Sequence, residues 1–69
     1  MEWIKVDSSS ISRIRYNENT KVLEIEFHGG LYQYFDVPVH IFEELRNAVD
    51  SHGKYFNQHI KGHYRYARV

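Results

Sequence analysis

Residues 22–35 read VLEIEFHGGLYQYF, and this stretch decides the fold because apolar residues alternate on both sides of a glycine pair. Alternation with a period of two is typical of a half-buried β-strand. Glycine accepts the positive φ that a tight hairpin turn requires, so the stretch predicts a hairpin that turns at Gly29-Gly30. The predicted register opposes His28 and Leu31, Phe27 and Tyr32, Ile25 and Tyr34, and Leu23 and Asp36.

This register also assigns the two faces of the hairpin, because directly opposed residues share a face of the sheet. The apolar face is expected to form the core and consists of Leu23, Ile25, Phe27, Tyr32 and Tyr34. The opposite face is expected to be mostly solvated and consists of Glu24, Glu26, His28, Gln33 and Phe35.

A further strand is predicted upstream of the hairpin, at residues 11–16. It is followed by a turn at residues 17–20, Asn-Glu-Asn-Thr, whose side chains readily hydrogen-bond their own backbone. The predicted register opposes Tyr16 and Lys21, Ile14 and Leu23, and Arg13 and Glu24.

The same register distributes the side chains of this first strand between the faces. Ile14 joins the core, whereas Arg13 and Arg15 join the solvated face close to the glutamates of the hairpin. We interpret these arginines as partners of those glutamates on the sheet surface. Ile11 falls on the solvated face unless a β-bulge near Ser12 returns it to the core.

Two short helices are predicted after the hairpin. The first runs from Pro38 to Val49, since proline suits the first turn of a helix. The second runs from Lys54 to Ile60, with Asp50 or Ser51 as the N-cap and Gly62 as the glycine that ends it. The apolar stripe of the first helix, with a period of 3.6, consists of Ile41, Phe42, Leu45, Ala48 and Val49.

The predicted fold is therefore α+β, a three-stranded antiparallel β-meander followed by two short helices packed on one of its faces. An extra edge strand is left open at either end. Residues 1–6 form a brief edge strand or an arm on the core. Residues 63–69 form a strand or an extended arm, with Tyr64, Tyr66 and Arg68 pointing one way.

Length and composition bound the kind of protein. The 69 residues suffice for one domain, and the chain has no cysteine that could form a disulfide or a thiolate metal site. No apolar run approaches the ~20 residues of a membrane helix, and the N-terminus lacks the apolar segment of a signal peptide, so we expect a cytoplasmic protein. The net charge is zero, but residues 1–50 sum to −4 and residues 51–69 to +4.

Four segments together resemble the KTSC domain, over about residues 8–69. They are Leu23-x-Ile25-x-Phe27, Gly30-x-Tyr32-x-Tyr34-x-x-Val37-Pro38, Gly53-Lys54-Tyr55-Phe56-Asn57-x-x-Ile60 and a basic tail that contains tyrosines. This family is named for a segment at the C-terminus of some lysyl-tRNA synthetases and also occurs as a free-standing small bacterial protein. It has no established activity, and its attachment to a synthetase implies that RNA is a partner to consider.

The basic C-terminal third is the candidate RNA-binding surface, for tRNA-like or single-stranded RNA. Cations bind phosphates, and exposed tyrosines stack on unpaired bases. The alternative is a solvated surface whose charges pair with the acidic first fifty residues. This interpretation requires that the cations do not scatter over different faces of the domain. The candidate residues are Lys54, Lys61, Arg65, Arg68, Tyr64 and Tyr66.

Other classes of site have less support in the sequence. Tyr32 and Tyr34 could stack on bases, but their position on the apolar face favours core packing. His59 and His63 are spaced like zinc ligands on a helix, but Gly62 interrupts that helix, so no metal site is expected. Neither a nucleophile with a matched base nor a cofactor is expected, so we predict a non-catalytic module. The alternative function is a protein-interaction or self-association module that uses a sheet edge, or Val22 and Phe35 on the solvated face.

Overall fold

The fold of the computed structural model is built on an antiparallel sheet of five strands, in which neighbours along the chain are also neighbours in the sheet. Residues 3–48 and 50–69 are described. Met1 and Glu2 of the predicted edge strand and Val49 of the predicted first helix lie outside the described residues. The elements in chain order are β1 (Ile4–Lys5), β2 (Ile11–Asn17), β3 (Val22–Phe27), β4 (Gly30–Tyr34), α1 (Val39–Asn47), α2 (His52–His59) and β5 (Tyr66–Arg68).

This arrangement confirms the predicted α+β fold, and both of the edge strands that the sequence left open are formed. β1 pairs with β2 at one edge of the sheet, and β5 pairs with β4 at the other edge. Both helices come between β4 and β5 in the chain, so the final strand joins the sheet only after the helical segment.

The hairpin turns one residue earlier than predicted. Phe27 pairs with Gly30, so the two turn residues are His28 and Gly29, and Leu23 lies opposite Tyr34 instead of Asp36. Neither Gly29 nor Gly30 adopts a positive φ, so the conformational reason for the predicted turn was wrong. The register is displaced by two residues, and a displacement of two leaves every side chain on its predicted face.

The register between β2 and β3 is displaced by two residues as well. Tyr16 lies opposite Leu23 instead of Lys21, and Asn17 pairs with Val22, so the loop comprises residues 18–21. The Asn17 side-chain oxygen begins this loop by accepting hydrogen bonds from the backbone N–H groups of Asn19 and Thr20. Lys21 ends the loop with a φ of 58°, a left-handed conformation that was not predicted.

The predicted bulge in the first strand is present. The pairing of β2 with β3 shifts between Ile11 and Arg13, and Ile11 is fully buried. One extra residue on this strand therefore turns Ile11 back into the core.

The helices differ from the prediction only at their ends. Pro38 is the N-cap of α1 rather than a residue of its first turn, and α2 begins at His52, two residues earlier than predicted. α2 ends at His59, and Gly62 follows with a φ of +83°, so it is the left-handed glycine that was expected after this helix.

The core lies between the helices and one face of the sheet. Tyr16 stacks on Phe42 of α1 with 5.0 Å between the ring centroids, and its hydroxyl donates a hydrogen bond to the carbonyl of Val37. His52 is also buried, and its Nδ1 donates to the carbonyl of Leu45 at 2.8 Å, which ties the start of α2 to the end of α1. The buried apolar residues are Ile11, Ile14, Tyr16, Leu23, Ile25, Tyr34, Val37, Phe42, Leu45, Phe56 and Ile60.

The opposite face of the sheet carries a layer of paired charges, as predicted for its arginines. Arg13 donates to Glu26 at 2.8 Å, and Arg15 donates to Glu24. Trp3 lies over both guanidinium groups, at 4.3 and 4.4 Å from its ring centre. These arginines are therefore held by the sheet itself.

Neither of the two helices found in the described residues is long and apolar enough to cross a membrane.

Candidate functional site

A groove of about 490 Å³ opens on the helix-facing side of the sheet, next to α2 and the β4–β5 edge. A cavity of this volume is within the range of small-ligand sites in proteins. The sheet and the helix both supply aromatic side chains to its walls. We call these residues the aromatic cluster: Phe27, Tyr32, Tyr34, Phe56 and Tyr66.

The five side chains of the aromatic cluster contact one another in a closed cycle. The centroid distances around the cycle are 5.6 Å from Tyr32 to Phe27, 5.1 Å to Phe56, 5.5 Å to Tyr34, 5.7 Å to Tyr66 and 5.9 Å back to Tyr32. All are in the range at which aromatic pairs attract. The cycle closes because the antiparallel register of β4 and β5 places Tyr66 directly opposite Tyr34.

The exposed fraction differs sharply between residues of the aromatic cluster. Tyr66 is 62% exposed, whereas Tyr34 is only 5% exposed. Burial, together with the neighbouring hydroxyls of Tyr32 and Tyr66, raises the pKa of Tyr34 to about 12. The Tyr34 hydroxyl therefore stays protonated at neutral pH, and the groove combines a deep phenol with an accessible aromatic side chain.

Two cations lie at this groove. Lys61, which follows α2, lines it directly. Arg68 pairs with Tyr32 in the sheet, and its guanidinium lies 5.9 Å from the Tyr32 ring centre and donates to the carbonyl of Gly29 at 3.1 Å. Gly30 makes room for it, since a Cβ there would stand 3.2 Å from the Arg68 Nε.

The other predicted RNA-binding residues lie elsewhere. Lys54 lines a second, smaller cavity of about 230 Å³ together with Asp7 and Asp50. Arg65 forms an exposed ion pair with Asp36 at 3.2 Å.

Tyr64 is half-buried and packs against the core rather than lining the groove. The four predicted cations therefore scatter, and the condition for one basic RNA-binding surface across the C-terminal third is not met. Of the six predicted residues, Lys61 and Tyr66 line the groove and Arg68 lies beside it, against Gly29 and Tyr32.

Sequence reasoning did not identify the groove as a unit. It treated core packing and base stacking as alternatives for Tyr32 and Tyr34, whereas both side chains pack against other aromatics and also line the groove. One signal was available. Two of the segments that resemble the KTSC domain meet at this groove. Residues 30–34 supply Tyr32 and Tyr34, and residues 53–57 supply Phe56 and Asn57.

The chemistry of the groove lining is limited. Its polar members are serine, asparagine, lysine and tyrosine, and among the described residues no carboxylate or imidazole lines it. Over residues 3–48 and 50–69, no three His, Cys, Asp or Glu residues are grouped so that they could hold a metal ion. His59 instead lies 4.5 Å from the Tyr55 ring, and the Nε2 of His63 donates to the Gln58 carbonyl.

The residues of the alternative function are partly covered. Val22 and Phe35 are both half-buried, and the Arg65 guanidinium lies 5.6 Å from the centre of the Phe35 ring. The edge strands β1 and β5 are two and three residues long. Short edge strands offer few unpaired backbone groups to another chain.

The fold defines a class of small α+β domain in which two helices are inserted before the last strand of an antiparallel sheet. Within that class, the chain belongs to the KTSC domain family, whose model matches residues 7–64. Its backbone is similar to the crystal structure of a KTSC domain protein from Yersinia pestis, with a TM-score of 0.94 and 35% identity over 99% of this chain and 96% of that chain.

Sequence relatives are of two lengths. An uncharacterized protein of Stutzerimonas stutzeri is 41% identical over all of this chain and 99% of its own length. The lysine–tRNA ligase of Nostoc sp. is 42% identical over 96% of this chain, but this chain spans only 12% of the length of that ligase.

Proposed function

We propose that the chain is a non-catalytic module that binds single-stranded RNA, or unpaired nucleotides of a tRNA, in the aromatic groove. The observation that carries the proposal is a groove lined by aromatic side chains, the exposed Tyr66 and Lys61, with Arg68 held next to it against Tyr32 and Gly29. Stacking of bases on aromatic side chains with phosphates on nearby cations is how proteins commonly bind unpaired nucleic acid. A cytoplasmic location, where such RNA is found, is part of the proposal.

The charge distribution supports this choice of surface. Arg13 and Arg15 on the opposite face are engaged by glutamates, so that face offers a polyanion little free positive charge. The groove lining, by contrast, includes Lys61, and no carboxylate of the part of the chain that the structure describes belongs to it. A local basic potential attracts phosphate even when the whole chain is neutral.

The non-catalytic part of the proposal is supported by the ionisable groups at the groove. General acid–base catalysis works best with a group that titrates near the working pH. Among the lining residues, the most deeply buried ionisable group is the Tyr34 phenol, and burial moves its pKa to about 12, away from neutrality.

Kinship with a segment of lysine–tRNA ligases supports RNA as the ligand class. The name of those relatives states that the whole protein acts on a tRNA. A segment that spans 12% of such an enzyme could add contacts to the RNA without taking part in its chemistry.

Fluorescence anisotropy of a labelled single-stranded RNA and of a labelled tRNA would test the proposal at low and moderate salt. The variant Lys61→Ala/Arg68→Ala removes the two cations of the groove. Its matched control, Lys54→Ala/Arg65→Ala, removes the same charge from the same third of the chain but away from the groove.

We expect the groove variant to weaken binding at least tenfold and to reduce the slope of log affinity against log salt by about 1.4, since each lost phosphate contact on a single strand contributes about 0.7. The control variant should retain most of the affinity. The proposal is wrong if the natural sequence binds neither RNA at low salt, or if both variants lose the same affinity. If RNA binding is absent and the apparent molecular mass in solution increases with protein concentration, the self-association alternative is favoured.

A further inference from the structure

The Tyr34 hydroxyl has no use that the fold explains. Among the described residues, none forms a hydrogen bond with this hydroxyl, although Tyr34 is only 5% exposed. No fully buried polar side-chain atom of residues 3–48 and 50–69 lacks a partner, so the hydroxyl oxygen must reach the space of the groove that Tyr34 lines. Other buried hydroxyls are used, since Tyr16 donates to the Val37 carbonyl.

Asn57, which is exposed, presents a second polar group to the same groove. It lies on α2, lines the groove and forms no side-chain hydrogen bond within the described parts of the chain. An amide offers its donor and its acceptor at fixed positions, and a buried phenol hydroxyl normally needs a partner. The sheet and the helix therefore each supply one hydrogen-bonding group to a cavity that Ser10, Lys61 and aromatic side chains also line.

This combination suits a flat ligand with a polar edge. Apolar walls accept the faces of a planar ring, and a few polar groups fix its orientation. We infer that the groove recognises the identity of a single unpaired nucleobase. The faces of the base contact the aromatic cluster, and its hydrogen-bonding edge contacts the Tyr34 hydroxyl and the Asn57 amide. The inference rests on the proposed function, because it names what the RNA places in the groove.

Base reading has a consequence that stacking alone does not have. Every base has an aromatic face, so stacking tolerates any sequence. A buried polar group that meets the wrong edge stays unpaired, and this penalty separates the correct base from the others. The natural protein should therefore distinguish oligonucleotides that differ at a single position.

The test uses four labelled RNA hexamers that carry A, C, G or U at one central position and abasic sites at the other five, so that only one base can enter the groove. Anisotropy titrations compare the natural sequence with Tyr34→Phe and Asn57→Ala. Tyr34→Phe keeps the ring and its packing, so the fold is retained, and a thermal melt checks this. Tyr55→Phe is the matched control, because it removes a tyrosine hydroxyl that hydrogen-bonds Glu44 and does not line the groove.

We expect the best and the worst hexamer to differ at least tenfold in affinity for the natural protein. Tyr34→Phe should reduce this spread to less than about threefold while the weakest affinities are retained, Asn57→Ala should narrow it as well, and Tyr55→Phe should preserve it. Equal affinity for all four hexamers, or a spread that Tyr34→Phe leaves intact, overturns the base-reading inference but not RNA binding. Absence of binding to every hexamer and to tRNA overturns both.

Discussion

The guanidinium of Arg68 lies against the backbone of Gly30, so close that a Cβ on Gly30 would stand 3.2 Å from both Nε and Nη2. Gly30 does not adopt a positive φ, so glycine is not needed there for the turn. Its role is to leave space for the arginine. The contact fixes a positive charge beside the Tyr32 ring at the edge of the groove.

Substitution of Gly30 should therefore act on binding more than on stability. In Gly30→Ala the methyl group pushes aside the end of a flexible side chain, and we expect the free energy of unfolding to fall by less than about 1 kcal/mol. RNA affinity should fall as well, but less than in Arg68→Ala, because the guanidinium is displaced by a few tenths of an ångström and its charge is kept. Urea denaturation and anisotropy measure the two effects. For comparison, a Cβ at Gly29 meets nothing within 4 Å, so Gly29→Ala should leave Arg68 in place. Full RNA affinity in Gly30→Ala would contradict this role.

The single tryptophan offers an independent check on which face binds. Trp3 lies over Arg13 and Arg15, on the face of the sheet opposite the groove. Binding in the groove should leave the intensity and wavelength of Trp3 emission nearly unchanged at saturating RNA. Marked quenching of Trp3, measured in the same titration, would indicate that RNA binds the ion-paired face instead. Trp3→Ala should cost about 1 kcal/mol of stability, because two cation–π contacts are lost, and should leave RNA affinity unchanged.

Glu24 should make the stability of the domain sensitive to acid. Its burial alone would raise the pKa, but hydrogen bonds from Arg15 and Gln33 outweigh this and lower the pKa below its ordinary value of 4.5. A carboxyl group whose pKa is lower in the folded chain stabilises the fold fully above pH 4.5 and progressively less as the pH falls through the folded pKa.

In Glu24→Gln we therefore expect lower stability at pH 7 and a shallower loss of stability below pH 4.5. Denaturation midpoints measured between pH 7 and pH 3 give both quantities. Glu43→Gln, on the exposed side of α1, serves as the control and should follow the natural sequence. An identical pH dependence in Glu24→Gln and the natural sequence would rule out this role.

His52 should contribute to stability through the junction of the two helices. His52→Ala leaves a cavity and removes the side-chain hydrogen bond to the Leu45 carbonyl, which among the described residues also accepts from the Ala48 N–H. We expect a loss of about 2–3 kcal/mol. His52→Phe fills most of the volume and should recover part of that loss. Urea denaturation followed by circular dichroism measures both variants, and His40→Ala, at an exposed position, should change stability by less than about 0.5 kcal/mol. A loss in His52→Ala as small as that in His40→Ala would refute the junction role.

Comparison of the predicted and observed sheet shows what a period of two can reveal. The alternation in residues 22–35 correctly assigned Leu23, Ile25 and Tyr34 to the core face, but it does not distinguish registers that differ by two residues. The register depends on the turns, and the predicted turn is wrong. A glycine pair predicts a turn because glycine accepts positive φ, whereas Gly30 belongs to β4 and accommodates Arg68.

The groove was less accessible to sequence reasoning than the sheet. It requires Tyr66 to lie opposite Tyr34, and these residues are separated in the chain by both helices. No local pattern determines such a pairing. The charge of the C-terminal third was visible, but its distribution between the groove, the second cavity and Asp36 depends on the path of the chain after α2.

The late return of β5 to the sheet links the groove to local unfolding. β5 is an exposed edge strand held on one side only, so its detachment should require less free energy than unfolding of the whole domain. Detachment would remove Tyr66 and Arg68 from the groove at the same moment. A ligand that needs both residues therefore holds the strand down, and its affinity should be measurable as slower hydrogen exchange at the amides of Ala67 and Val69, which face β4 in this register.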